Sequence, residues 1–119
     1  MEIPKIFDSE YRFCLILWEH EPINSTKLAA LCKEELGWSK ATTYTVIRRL
    51  AERGVLKNEN TIVRTLVTKE KVQASEMQDF VERTFKGSIP AFIAAFVRSN
   101  KLSMDEIAQI KEMIENYTE

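Results

Sequence analysis

Residues 39–53 read SKATTYTVIRRLAER, and Gly54 follows them. Thr43, Val46, Ile47 and Leu50 recur at i, i+3, i+4 and i+7, the spacing that gathers side chains on one face of a helix. Ser39 stands where an N-cap belongs, and Gly54 stands where a left-handed stop belongs. Turned away from the aliphatic face are Lys40, Ala41, Tyr44, Thr45 and Arg48, with Thr42 and Arg49 on the flanks. One side of this helix suits a core, and the other offers hydroxyls and positive charge.

Two further helices are expected upstream. Asp8 is a good N-cap for the first, with Tyr11, Cys14, Leu15 and Trp18 as its apolar positions and an end near Pro22. Asn24 or Ser25 caps the second, with Leu28, Leu31, Cys32 and Leu36 on one face and Gly37 as its stop. Downstream of Gly54 come Val55 and Leu56, a polar turn over residues 57–60, and the β-branched run at residues 61–67, which together predict a small β-hairpin. Helical periodicity returns from Lys69 through Val72, Met77, Phe80, Val81 and Phe85 to Gly87. A fifth helix carries Ile89, Phe92, Ile93, Phe96 and Val97, with Pro90 tolerated in its first turn. Ser103 and Glu106 form a capping box for a sixth, whose stripe is Ile107, Ile110, Ile114 and Tyr117.

The predicted fold is therefore mainly α. Three helices and a hairpin wing make a winged helix-turn-helix over residues 1–68, and a helical region follows over residues 69–119. In that arrangement the third helix enters the major groove of DNA and the hairpin lies along the backbone.

Charge distribution supports this reading more than total charge does. The 119-residue chain has a net charge of −1. Its charges are unevenly placed: residues 39–64 hold six Lys/Arg against two Asp/Glu, whereas residues 1–38 hold four against seven and residues 65–119 hold seven against nine. Phosphate responds to the local excess. Ser39 and the amides of the first turn suit a phosphate at the positive end of the helix dipole, and Thr42 and Arg49 reach neighbouring phosphates. Tyr44, Thr45 and Arg48 face the groove floor, where Thr meets a base edge or a thymine methyl and Arg takes guanine bidentately. Lys40 belongs to the same face, and Lys57 and Arg64 are the wing cations. A single domain with so small an excess binds weakly, so a second copy is expected. Phe80, Val81, Phe85, Phe92, Ile93, Phe96 and Ile110 supply more apolar surface than three short helices hide among themselves, and they are the candidate homodimer surface.

The residues also resemble those of a known family. The run from Trp38 through Leu50 with Arg53, Gly54 and Val55, the first helix with Tyr11 and Trp18, and the tail with Phe92, Phe96, Val97, Leu102, Ser103 and Glu106 resemble the penicillinase-repressor family (BlaI/MecI/CopY). The resemblance implies a homodimeric repressor on a palindromic double-stranded DNA operator. Lys40, Ala41 and Tyr44 replace the Pro, Lys and Arg usual in the family's recognition helix, which leaves the operator sequence open. The hairpin is shorter than the family's. Cleavage in antibiotic-responsive members occurs at an Asn-Phe bond in the fifth helix, where this chain has Ala95 and Phe96. Copper-responsive members carry a C-terminal cysteine pair, and here no cysteine follows Cys32. A regulatory protease and a small-molecule inducer both stay open as release signals.

Two alternatives remain: a winged protein-interaction module, and a thiol or metal sensor built on Cys14, Cys32 and His20. Both cysteines fall on apolar helix faces, where a thiol acts as a small hydrophobe. Trp18 and Trp38 read as core or cap residues. No Gly-rich phosphate loop, nucleophile elbow or HExxH occurs, so neither enzyme nor cofactor is expected. No apolar run is long enough to span a bilayer and no secretory signal opens the chain, so a cytoplasmic protein is expected.

Overall fold

The computed structural model describes residues 2–118. The elements run α1 (Asp8–His20), β1 (Ile23–Asn24), α2 (Ser25–Leu36), α3 (Lys40–Glu52), β2 (Leu56–Glu59), β3 (Ile62–Thr65), α4 (Lys69–Phe85), α5 (Ile89–Ser99) and α6 (Met104–Glu115). The three strands form one antiparallel sheet in the order β1-β3-β2. This is the expected winged helix-turn-helix with a helical region after it. The chain divides into two compact units, Met1–Glu76 and Met77–Glu119.

In the first unit, Phe13, Cys14, Leu17, Leu28, Cys32, Ile47, Leu50, Val55, Leu56 and Val63 form the core, with half-buried Trp18, Trp38 and Tyr44 packed against it. Helix α3 buries Thr43, Val46, Ile47 and Leu50, the predicted four. Helix α1 departs from expectation. Its buried face is Phe13, Cys14, Ile16 and Leu17, while Leu15 is 37% exposed and Tyr11 and Trp18 are only half-buried. Residues 13–18 are apolar without a break, so several helical phases fit the same periodicity and the packing partners select one. The N-cap is Phe7 rather than Asp8. Glu10 explains the shift, because its carboxylate reaches back to accept the Phe7 N–H at 2.9 Å, leaving Asp8 as a first-turn residue whose charge favours the helix dipole.

At α2, the Asn24 side chain accepts the Thr26 N–H at 2.8 Å, and Gly37 ends the helix with φ +72°. Trp38 follows and stacks on Phe13 with ring centroids 6.0 Å apart.

The hairpin also corrects the expected boundaries. Residues 57–59 belong to strand β2, and the turn is Asn60–Thr61, closed by the pair Glu59 opposite Ile62. Three consecutive exposed side chains after Leu56 left no alternation by which to recognise an edge strand. Asn60 and Thr61 both have positive φ, 51° and 66°, as a two-residue hairpin loop requires. For the β-branched Thr61 this conformation is costly. The turn is held by the Ser25 N–H, which donates to Thr61 O at 2.8 Å, and by Asn24 Nδ2, which donates to Thr61 Oγ1 at 3.2 Å. Strand β1, too short for any sequence pattern, pairs Ile23 with Val63 and Asn24 with Ile62. The wing is thus a short hairpin whose tip is tied to the start of α2.

In the second unit, Phe80, Phe85 and Phe92 meet edge to face at centroid distances of 5.8–6.2 Å, and Phe96 lies 6.3 Å from Phe92. Ser88 caps α5, with Pro90 in its first turn. The predicted capping box starts α6: Ser103 Oγ accepts the Glu106 N–H at 3.1 Å, and Glu106 accepts the Ser103 N–H at 3.0 Å. Hydrogen bonding to the carboxylate from the Ser103 backbone N–H, and then from the Ser103 side chain, holds Glu106 below its ordinary pKa. Neither α5 nor α6 has a buried residue.

Candidate nucleic-acid interface

Burial of one face of α3 decides what the other face presents. Lys40, Ala41, Thr42, Arg48 and Arg49 are exposed, and Tyr44 and Thr45 are half-buried. The candidate base readers and phosphate holders therefore share one accessible surface. Ser39 Oγ accepts the Thr42 N–H at 3.1 Å and donates to Thr42 Oγ1 at 2.9 Å, so both hydroxyls sit at the exposed N-terminus of α3. The Lys40 ammonium lies 5.8 Å from the centre of the Tyr44 ring. This contact fixes a long cationic chain against a rigid aromatic one on the helix's outer side.

Beside the N-terminus of α3 lies a cleft of about 450 Å³ lined by Thr26, Ala29, Ala30, Lys33, Ser39 and Lys40. Two small alanines of α2 leave the space open, and two lysines in its lining bring positive charge to it. Thr26 and Lys33 belong to this surface although the sequence reading passed over them. They lie in the acidic first third of the chain, where a charge balance conceals a single well-placed cation.

The cations of residues 39–64 do not all serve this surface. Arg53 ion-pairs with Glu10, donates to Lys5 O at 2.9 Å and lies 5.3 Å from the centre of the Phe7 ring. It ties the end of α3 to the start of α1. Lys57 bridges to Glu59 at 2.8 Å. Hydrogen bonding and charge from Lys57, with a smaller contribution from Arg64, hold the Glu59 carboxyl below its ordinary pKa. Arg64 lies opposite Lys57 in the sheet register. Among the described residues, Lys40, Arg48, Arg49 and Arg64 have no salt-bridge partner.

The thiols are placed apart from this surface. Cys14 and Cys32 are unpaired and fully buried. Burial, reinforced by the Glu10 charge and opposed by Arg53, pushes the Cys14 thiol up to about 12. Burial also raises Cys32, partly opposed by the Thr43 hydroxyl. That hydroxyl is buried without a hydrogen-bond partner among the described residues. Thiols held neutral in this way are poor nucleophiles and poor metal ligands.

The candidate pairing residues separate into two groups. Val81 is buried, and Phe85 and Phe92 are half-buried in the aromatic cluster. Phe80, Ile93, Phe96 and Ile110 are 37–43% exposed. Ile89 and Val97 extend the open face of α5, and Met113 and Ile114 extend that of α6, with exposed Tyr117 just past its end. The Ala95–Phe96 bond lies within α5, and Asn100 Nδ2 donates to Phe96 O at 2.9 Å. Among the described residues, no helix is long and apolar enough to cross a membrane.

Known proteins are similar in sequence to this chain over more than nine-tenths of its length. The chain is 25% identical to a penicillinase repressor of Bacillus licheniformis over 98% of this chain and 94% of that one. It is also 25% identical to the methicillin resistance regulatory protein MecI of Staphylococcus aureus, over 92% and 93% respectively. An uncharacterized 16.5 kDa protein of Latilactobacillus sakei is 26% identical over 92% of this chain and 78% of its own. The family model described as penicillinase repressor matches residues 6–116, and the chain belongs to that family.

Proposed function

We propose that this protein is a sequence-specific DNA-binding transcriptional repressor that acts as a homodimer on a palindromic operator, controlling a resistance or stress-response gene. The observation that carries the proposal is the division of α3 into a fully used core face and an outer face bearing Lys40, Thr42, Tyr44, Thr45, Arg48 and Arg49. Tyr44, Thr45 and Arg48 read bases, while Ser39, Thr42, Arg49 and the lysines at the cleft hold phosphates. Residues 1–68 form the reading part and residues 69–119 the pairing part. The relatives named as penicillinase and methicillin resistance regulators support repression as the outcome of binding.

Homodimerisation is supported by the open apolar faces of α5 and α6. Two copies would present two α3 helices to half-sites about one helical turn, or a multiple of it, apart. Selection of genomic fragments on the purified protein tests this directly, with an enriched palindrome as the expected result. Binding to it should weaken steeply with salt, since each phosphate neutralised adds about 0.9 to the slope. It should be lost in the Arg48→Ala, Arg49→Ala double variant. No enrichment and no salt-dependent shift would instead favour a winged protein-interaction module, the reading to which the short, tied-down wing lends weight.

A further inference from the structure

The sheet register assigns Glu21 an unusual position. Antiparallel pairing of Ile23 with Val63 and Asn24 with Ile62 places Glu21 opposite Thr65 if the ladder is continued. Hydrogen-bonded pairs recur at every second residue of such a ladder. The Ser25 N–H donates to Thr61 O, so the bonded positions beyond Ile23 and Val63 fall at Glu21 and Thr65. The backbone does not continue that far. Pro22 interrupts the strand, and the Glu21 N–H is already committed to Leu17 O at 2.8 Å, ending α1. In place of a backbone carbonyl, the Glu21 side chain accepts the Thr65 N–H at 2.6 Å and receives the Thr65 hydroxyl at 2.8 and 2.9 Å.

A carboxylate bonded twice to one residue is a strong and directional anchor. The Thr65 N–H belongs to the peptide joining it to Arg64, so the anchor sets the plane from which the Arg64 side chain departs on the exposed face of β3. Farther along, Trp18 Nε1 donates to Val67 O at 3.0 Å. The C-terminal end of α1 and the residue after it thus grip β3 at Thr65 and the chain just beyond it at Val67, next to the wing cation that has no salt-bridge partner among the described residues.

We propose that Glu21 is a positioning residue for DNA binding: it touches no DNA, and by anchoring Thr65 it holds Arg64 against a backbone phosphate. This rests on the DNA-binding reading above. The test uses the full chain and a mixed-sequence duplex of about three helical turns, with affinity measured across a salt series. Glu21→Gln keeps an acceptor oxygen for the Thr65 N–H and should bind like the parent. Glu21→Leu should bind about fivefold more weakly, the worth of one charge-assisted contact, and its salt slope should be shallower by about 0.9. In an Arg64→Ala background Glu21→Leu should cost nothing further. Thr65→Val removes only the hydroxyl and should show a smaller loss of the same kind, which keeps the test alive if Glu21→Leu fails to fold. A parent slope retained in Glu21→Leu or Thr65→Val, or a loss that persists in the Arg64→Ala background, overturns the positioning role. Absence of salt-dependent binding by the parent overturns the DNA reading itself.

Discussion

Arg53 illustrates how a single residue can satisfy a charge count and yet serve another purpose. From sequence it is one of six cations in the basic segment. In the structure its guanidinium is committed to Glu10, whose side chain is only 9% exposed, and to Lys5 O. Removing one member of such a pair leaves the other charge poorly solvated. Arg53→Ala should lower unfolding stability by about 2–4 kcal/mol, while the folded protein keeps its duplex affinity. Adding Glu10→Gln should recover part of the loss, and urea unfolding combined with a binding titration checks all three outcomes. Cys14 shares this neighbourhood. Its folded pKa, raised from 9.0 to about 12, means that below pH 9 the thiol is neutral in both states and full stability is present. Between pH 9 and 12 only the unfolded thiol loses its proton, so stability falls as pH rises, by roughly 4 kcal/mol across the window. Cys14→Ala should flatten that part of the stability profile relative to the parent, even if the small cavity lowers the whole curve. Retention of the full alkaline slope in the variant would contradict the assignment.

Helices and strands differed in how much of them could be read before folding. The phase of α3 was legible because polar residues separate Thr43, Val46, Ile47 and Leu50, so only one face could be buried. The phase of α1 was not, since six consecutive apolar residues allow several, and Phe13 and Leu17 were chosen by what packs on them. Strand β1 and the role of Glu21 had no local signature, because both arise from pairing with residues about forty positions away. Ser39, by contrast, was readable as a cap, and its two duties can be separated by substitution. Ser39→Asp keeps a capping oxygen and adds a charge that favours the helix dipole, so the variant should be at least as stable as the parent. The same charge repels a phosphate at that end of α3. Duplex affinity should fall about tenfold or more in low salt, and less in high salt where the repulsion is screened. Parallel measurement of thermal unfolding and DNA binding gives the two opposite signs. Undiminished affinity in Ser39→Asp would remove the N-terminus of α3 from the proposed interface.

At the scale of the whole molecule, a net charge of −1 and a proposed polyanionic partner are compatible because the cations are segregated. The three exposed cations of α3, Lys40, Arg48 and Arg49, nonetheless limit what a single chain can bind. Pairing multiplies that limited affinity, since the second half-site is engaged at high effective concentration once the first is bound. The open faces that would serve it are Ile89, Ile93, Phe96 and Val97 on α5 and Ile110, Met113 and Ile114 on α6, with Tyr117 just past its end, all more than a third exposed in the single chain. Ile93 and Ile114 are 43% and 67% exposed, so charging them should disturb each chain's own packing far less than charging a buried position would. The parent should sediment as a dimer and melt at a temperature that rises with protein concentration. Ile93→Asp with Ile114→Asp should sediment as a monomer and melt independently of concentration. Its affinity for a two-half-site operator should drop by about 10²-fold or more, toward that of the parent for a single half-site. A variant that is monomeric yet binds the full operator as the parent does would show that each chain reads DNA alone, and the open faces of α5 and α6 would then need another occupant.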